Sequence, residues 1–280
     1  MGAGHAVAQE KTLRLGVTRG AEPFSYADGN GNPAGYSVDL CQRIAKAALA
    51  HGLYADSTHV WVTVGERFNR LYQGDIDLLC ESTTVTLERI RHIDFTLQTF
   101  LTGASFVFLA DAAPLTLEDI GSGPVSVVER TTTLDLVKHL LPNAKATEVP
   151  DDRDAINRLA AREVRAHFGD REVLLSLRDE AASQTPPVRL RVSDRYLSFE
   201  PYALGVRPDA PDTPCPERRR LLRLANQTLV GLYKKDKDGI AQLFHTHFPG
   251  HTMSPALKQM FRLQSLPEGE SIDYVCGGNT

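Results

Sequence analysis

The sequence predicts an α/β protein folded as two units of unequal size. Three observations carry this. Short apolar runs of strand character, at residues 13–17, 76–80 and 125–128, alternate with segments whose apolar residues recur at helical spacing. The chain has 280 residues, enough for one large domain or two modest ones. From Val125 onward a smaller strand–corner–helix series resembles half of the series before it. With 42% hydrophobic and 24% charged residues the composition is that of an ordinary globular chain, which excludes a disordered one. The formal charge of -4 gives no electrostatic reason to expect nucleic acid. No run approaches the roughly eighteen apolar residues of a membrane span.

Residues 13–17 alternate as a half-buried strand should. Asp28-Gly-Asn30-Gly-Asn32-Pro33 is oxygen-rich like a calcium loop, but Pro33 stands where the sharp-turn glycine belongs and Asp39 replaces the closing glutamate. A hairpin turn is therefore expected. The next helix carries Cys41, Ile44, Ala45, Ala48 and Leu49 on one stripe, with Asp39 in its first turn, where negative charge suits the dipole. Residues 61–74 read as a strand end, a short helix and a C-cap at Gly74.

The stretch 81–96 organises the chain. Ser82 and Thr84 are two apart after the apolar run 76–80, so on an extended backbone they share a face. Thr86 reads as a helix N-cap. Arg89 would leave the first turn of that helix with a planar fork of donors suited to a carboxylate. The alternative is a plain strand–turn–helix corner whose Arg89 pairs with Glu88 or Asp94, and the residues alone leave both open.

In the second unit, Arg130-Thr131-Thr132-Thr133 precedes a helix with Leu134, Val137, Leu140 and Leu141. Threonines capping a helix expose N–H groups at its positive end, a place that takes a carboxylate. A helix at 155–160 and a strand at 164–168 follow, the strand running out at Gly169-Asp170. An aspartate at a strand's C-terminal end either faces an α/β cleft or caps the following helix. Residues 221–233 and 239–248 are helical, and Ser254-Pro255 is an N-cap and N1 pair for a short tail helix. His245, His247 and His251 straddle Pro249-Gly250 without Cys or carboxylate partners, so neither a metal nor a cofactor is expected.

Cys41 on a helix stripe and Cys80 in a core strand are expected to be packed thiols. Cys215 and Cys276 lie in polar, turn-rich segments and are the candidates for a disulfide. Ala6-Val7-Ala8 before Gln9 has the small-x-small form of a signal-peptidase site, although no hydrophobic core precedes it. Residues 1–10 are read as the remnant of an export signal, with a disordered cytosolic N-terminus as the alternative.

The order Ser82-Thr83-Thr84, Glu88-Arg89, Phe95-Thr96 resembles the amino-acid-binding branch of bacterial periplasmic solute-binding proteins, above all the glutamate/aspartate-binding members. The likeness spans residues 13–263 and includes the tail Met253-Ser-Pro-Ala-Leu-Lys-Gln-Met-Phe261. It implies the two-lobed type II periplasmic-binding fold, shared with ionotropic glutamate receptor ligand cores. Lobe 1 would comprise 11–110 and 197–248, lobe 2 would comprise 111–196, and 249–280 would form a tail. Two crossover segments, near 109–113 and 194–202, would act as the hinge.

The resemblance also implies a site. The arginine matching Arg89 grips the ligand α-carboxylate, and residues matching Ser82 and Thr84 contact carboxylate and ammonium. Thr131 and Thr132 match hydroxyl residues that help hold the carboxylate, and Asp170 matches the aspartate that holds the ammonium. An arginine at the place of Arg67 meets a side-chain carboxylate in dicarboxylate-binding relatives; Arg130 or Arg19 would join it. Arg130 departs from the family's glycine and either breaks the turn or supplies another cation. The histidine that glutamate/aspartate binders often place near Asp152-Arg153 is missing, which weakens the case for an acidic ligand.

A monomeric, periplasmic binding component of an ABC transporter is implied, taking a free amino acid, acidic or polar, to a membrane permease. No phosphate loop, nucleophile elbow, H-E-x-x-H or CxxC pair points to an enzyme. The enzymatic alternative is a dehydratase of cyclohexadienyl acids, an activity that some relatives of this fold have; Glu22 and Asp170 would then flank the cleft. A ligand-sensing domain is a third reading.

Overall fold

The computed structural model describes residues 11–113, 115–208, 217–235 and 238–266. Twelve strands and ten helices are found among them. The first sheet takes β1 (Thr12–Val17), β4 (Asp56–Trp61), β5 (Leu78–Leu79), β6 (Asp94–Thr102) and β12 (Glu200–Val206), in the order β4-β1-β5-β12-β6. The second takes β7 (Ala104–Leu109), β8 (Pro124–Val128), β9 (Lys145–Val149), β10 (Ala166–Asp170) and β11 (Leu190–Val192), in the order β11-β7-β10-β8-β9. A small hairpin of β2 (Tyr26–Ala27) and β3 (Pro33–Ala34) is closed by Asp28, whose carboxylate accepts from the N–H groups of Asn30 and Asn32 at 2.8 Å. The oxygen-rich segment is thus a turn.

The two sheets are built alike. Each has three parallel strands and then an antiparallel strand adjoining the crossover, β12 in the first sheet and β7 in the second. Parallel strands need covering helices. In the first lobe these include α1 (Tyr36–Ala50), α2 (Arg67–Gln73) and α3 (Leu87–Ile90). The second lobe supplies α4 (Leu117–Ile120), α5 (Thr132–Leu140), α6 (Asp152–Ala160) and α7 (Arg171–Ala182). α8 (Glu217–Lys234), α9 (Ile240–His247) and α10 (Pro255–Gln264) return to the first lobe. The tail helix is part of that lobe: Leu257 and Phe261 enter its core, and Gln264 bonds both backbone groups of Gln98 on edge strand β6. Covering an edge in this way protects it from pairing with another chain.

The first crossing differs from the expectation. Residues 105–109 belong to the second sheet, so the chain changes lobes at Gly103 and not at 109–113. Gly103 is needed there because a Cβ would come within 2.1 Å of the Ser198 carbonyl oxygen on the returning segment. The two crossings run side by side, joined by Leu197 N–H to the Ala104 carbonyl at 2.7 Å and Ala104 N–H to Ser198 Oγ at 2.8 Å.

The cysteines also differ. Cys41 and Cys80 form a disulfide, with Cα atoms 5.9 Å apart. Both were correctly placed in the core, but α1 lies across β5, so the two stripes meet and the sulfurs bond. Cys215 and Cys276, and the leader-like residues 1–10, lie outside the described residues.

Candidate functional site

The geometry of the crossover explains the site. β6 continues through Gly103 into β7. Glu200 sits opposite Thr102 in the first sheet, and Asp170 opposite Ala104 in the second. Their partners are two residues apart on one continuous segment, about 7 Å of strand rise. Two carboxylates distant in sequence are therefore brought to the joint between lobes. The parallel strands of both sheets end there too, where α/β folds place ligands.

A cavity of about 70 Å³ lies between the lobes. Ala21, Val64, Arg67, Glu81 and Ser82 form its first-lobe wall. Thr131, Thr133, Asp152, Gly169, Asp170 and Val173 contribute to the opposite one. Of the anticipated binding residues, Arg67, Ser82, Thr131 and Asp170 line this cavity, whereas Arg89, Thr84, Thr132 and Arg130 do not.

Thr84 and Thr132 meet across the lobes at 3.5 Å, and both donate their hydroxyl protons to Glu200 Oε2, at 2.6 and 2.8 Å. Ser198 donates to the other oxygen at 2.7 Å. A hydroxyl has one proton, so each threonine has only lone pairs left to offer. Thr131 is the N-cap of α5: it accepts from Leu134 N–H at 3.3 Å and donates to the Val128 carbonyl at 2.7 Å.

Thr86 caps α3 as expected, accepting from Arg89 N–H at 3.1 Å. The Arg89 guanidinium turns back to the Thr84 carbonyl at 2.7 Å and lies 4.9 Å from the centre of the Phe68 ring. Burial, and then repulsion from Arg67, weaken its hold on its proton, while Glu81, Glu200 and Asp170 act in the opposite sense. Arg67 shares the Phe68 ring at 4.3 Å and is paired with buried Glu81, its Nε 2.7 Å from Oε1. That contact is close but off the hydrogen-bond direction, so it is chiefly an ionic one. Arg67 consequently has its charge met from within the chain.

Asp170 occupies the N-cap position of α7 yet caps nothing with its side chain. Tyr202 donates its hydroxyl to Oδ2, and Oδ1 is buried without a partner. Burial, with repulsion from Glu200 next, pushes this carboxyl up to about 8 against the lowering effect of Tyr202. The site therefore lacks a cation at this point.

Two anticipated cations lie elsewhere. Arg130 is exposed, holds φ at 55° where the family has glycine, and donates to the Gly65 carbonyl at 2.5 Å. The turn survives, and the side chain ties the lobes at the rim. Arg19 stacks on Trp61 at 3.9 Å and does not line the cavity.

Glu81, Glu200, Asp152, His167 and Tyr202 were not anticipated as part of the site. Glu81 directly follows the apolar run 76–80, a weak sign of burial that the sequence did offer. Glu200 and Tyr202 carried no such sign, because their roles come from the pairing of distant strands. Asp39, read as a first-turn charge, also meets His247 at 2.8 Å.

The model of the bacterial extracellular solute-binding proteins, family 3, matches residues 13–249. The chain belongs to this family. A candidate amino-acid ABC transporter-binding protein of Escherichia coli (strain K12), YhdW, is 29% identical over 211 residues, 72% of this chain. The match spans about 60% of that relative's own length. An ancestral arginine-binding protein bound to glutamine superposes with a TM-score of 0.72 at 25% identity, over 86% of this chain and 99% of that one. An ancestral amino-acid-binding protein described as a precursor of cyclohexadienyl dehydratase gives 0.70 at 25%, over 85% and 95%. The two-lobed α/β architecture of this family member is the type II periplasmic-binding fold.

Proposed function

We propose that this family member binds a free L-amino acid between its lobes, as the solute-binding component of an ABC transporter. The observation that carries the reading is the cavity itself. Asp170 brings an unpartnered buried oxygen to one wall; Arg89 is not among the lining residues, but its guanidinium lies close enough to Arg67, Glu81 and Asp170 to feel their charges. A zwitterion meets both needs: its carboxylate takes the free donors of Arg89 and the N-terminal N–H groups of α5, and its ammonium takes Asp170. Thr84 and Thr132 donate their protons to Glu200, so in this reading they would offer an ammonium lone pairs only. A buried zwitterion is tolerated only when both charges are paired.

The partners stand on different lobes, so ligand binds the closed form better, and this difference in affinity drives closure. Hinge closure of periplasmic binding proteins is a standard case of such a transition. The names of the family and of the similar proteins support export and delivery to a permease. The disulfide between Cys41 and Cys80 fits an oxidising compartment. A polar side chain remains the expected class of ligand. An acidic one loses support because Arg67 is already paired with Glu81.

A thermal-shift screen of the amino acids tests the reading directly. Arg89→Ala should lower affinity for the best ligand at least a hundredfold while leaving the apo melting profile close to wild type. Full affinity in the variant refutes the site. One observation favours an enzyme: Asp170 is held near 8 like a general acid. Its supposed partner Glu22 instead pairs with Arg153 at 2.9 Å and is not on the cavity wall. Turnover of prephenate or arogenate would establish that second reading.

A further inference from the structure

The corner that joins β4 to α2 is fixed from both ends. Thr63 and Glu66 bond each other reciprocally: Thr63 N–H donates to Glu66 Oε1, and Glu66 N–H to Thr63 Oγ1, both at 3.2 Å. Such a reciprocal pair, the pattern of a capping box, holds the backbone between its members. Those members are Val64 and Gly65. The Val64 carbonyl accepts from the Arg67 guanidinium, whose Nε lies 2.7 Å from Glu81 Oε1. Arg67 and Glu81 are each 3% exposed, so the corner hangs from a buried ion pair.

This first-lobe corner reaches the second lobe. Val64 packs against a small cluster of Val128 at the end of β8, Val149 at the end of β9 and Ala155 on α6, all of them buried. Beside it the Gly65 carbonyl accepts from Arg130 at 2.5 Å. A Cβ on Gly65 would stand 2.9 Å from Glu129 Oε1 and 3.9 Å from Arg130 Cδ, so the backbone itself lies against the second lobe. Val64 and Val128 also line the cavity. The apolar contact is non-directional, and the hydrogen bond beside it sets its register.

We propose that the Thr63–Glu66 corner is a preformed knob that seals the cleft by seating Val64 in the second lobe, and that Arg67 is the positioning residue that holds the knob. Arg67 thereby acts on closure through the Val64 carbonyl and not as a cation for the ligand's side chain. A corner already fixed in shape loses little freedom on docking, so most of the contact is available to favour closure. A molecule in the cavity leaves only after Val64 is unseated, whereas it enters while the lobes are apart. The knob therefore governs departure more than entry. That consequence rests on the amino-acid reading of the cleft; the seating itself does not.

Small-angle scattering of the unliganded chain tests the seat, and stopped-flow kinetics test the consequence, with the amino acid that gives the largest thermal shift as the probe. Val64→Asp puts a charge into the apolar seat. It should enlarge the radius of gyration and speed dissociation about tenfold at unchanged association rate. Val64→Ile should keep the wild-type values. Arg130→Gly removes the tie to Gly65 together with the strain of a φ of 55°. It should speed dissociation while leaving the melting temperature equal or higher, a combination that mere loss of structure would not produce. Arg67→Lys keeps a charge for Glu81 but not the planar fork that also reaches Val64. It should speed dissociation in the wild-type background and add little to Val64→Asp, because both changes release the same knob. An unchanged radius in Val64→Asp overturns the inference, as does slower association with dissociation unaltered. Full additivity of Arg67→Lys with Val64→Asp removes the positioning role. If no amino acid binds, the amino-acid reading falls, and the radius of Val64→Asp alone decides the seat.

Discussion

Asp170 shows how strongly one side chain can depend on what is absent from its surroundings. An aspartate in water has lost its proton by neutral pH. Here burial and the neighbouring Glu200 carboxylate hold it to about 8, and the Tyr202 hydroxyl supplies one hydrogen bond. The folded form thus binds a proton that the unfolded form has released over the window from about 4 to about 8. Stability from this group is full below the unfolded value and is lost as pH rises through that window. The apo protein should accordingly melt lower at pH 8 than at pH 5, by an amount worth a few kcal/mol at most. Asp170→Asn should flatten that difference. An equal pH slope in wild type and variant would assign it to other groups. A ligand ammonium reverses the effect: binding near neutral pH should release a proton, seen in calorimetry as a heat that varies with the buffer's ionisation enthalpy.

Helices and strands supply the next level of control. α1 carries Cys41 on its buried face, and β5 runs into Cys80 beneath it. A crosslink closing a sequence separation of 39 residues restricts the unfolded chain by about 4 kcal/mol in the chain-entropy picture. Replacing both cysteines by serine should lower unfolding stability by about 2–4 kcal/mol, measured in denaturant, with reductant producing a similar loss in the wild type. If reductant and replacement both leave the midpoint unchanged, the crosslink is not formed in the purified protein. α5 is a second case. The αL turn before it is held by Arg130 instead of glycine, at a backbone cost of about 1–2 kcal/mol. The Arg130 bond to Gly65 in the other lobe gives that residue a reason to be there.

At the scale of the whole molecule, the cleft is closed by contacts that cross it. They include Arg130 to Gly65, Arg153 to Glu22, Tyr202 to Asp170, and Thr132 to Glu200. The last lies beside the hinge, and its acceptor is a buried carboxylate. A hydrogen bond to a charged group contributes about 1.5–3 kcal/mol. Thr132→Val removes it with little change of volume and should move the unliganded population toward the open form. Small-angle scattering should then show a larger radius of gyration without ligand and a wild-type radius at saturation, with affinity reduced about tenfold. No change in either quantity would mean that this contact does not govern closure.

Much of the fold was legible in local patterns. The strand, corner and helix signals were legible because period, capping and turn chemistry act over a few residues. Thr86, Thr131 and Ser254 cap their helices, and Gly74 ends α2 in the left-handed conformation, as their neighbours dictate. Ser82, Thr131 and Asp170 stand at strand and helix ends that the sequence marks, Arg67 is reached only through the family resemblance, and the four share a cavity.

What the sequence by itself determined, then, is the set of elements and the chemical groups carried to their ends. Tertiary structure alone decided which of those groups face one another. The pairing of β6 with β12 and of β7 with β10 puts Glu200 beside Asp170, Thr84 and Thr132. The packing of α1 on β5 joins Cys41 to Cys80, and the fold of the first lobe spends Arg67 on Glu81. Charge and hydrogen-bond partners are properties of distance in space. Residues 30 or more apart in sequence acquire them only when the strands have found their neighbours.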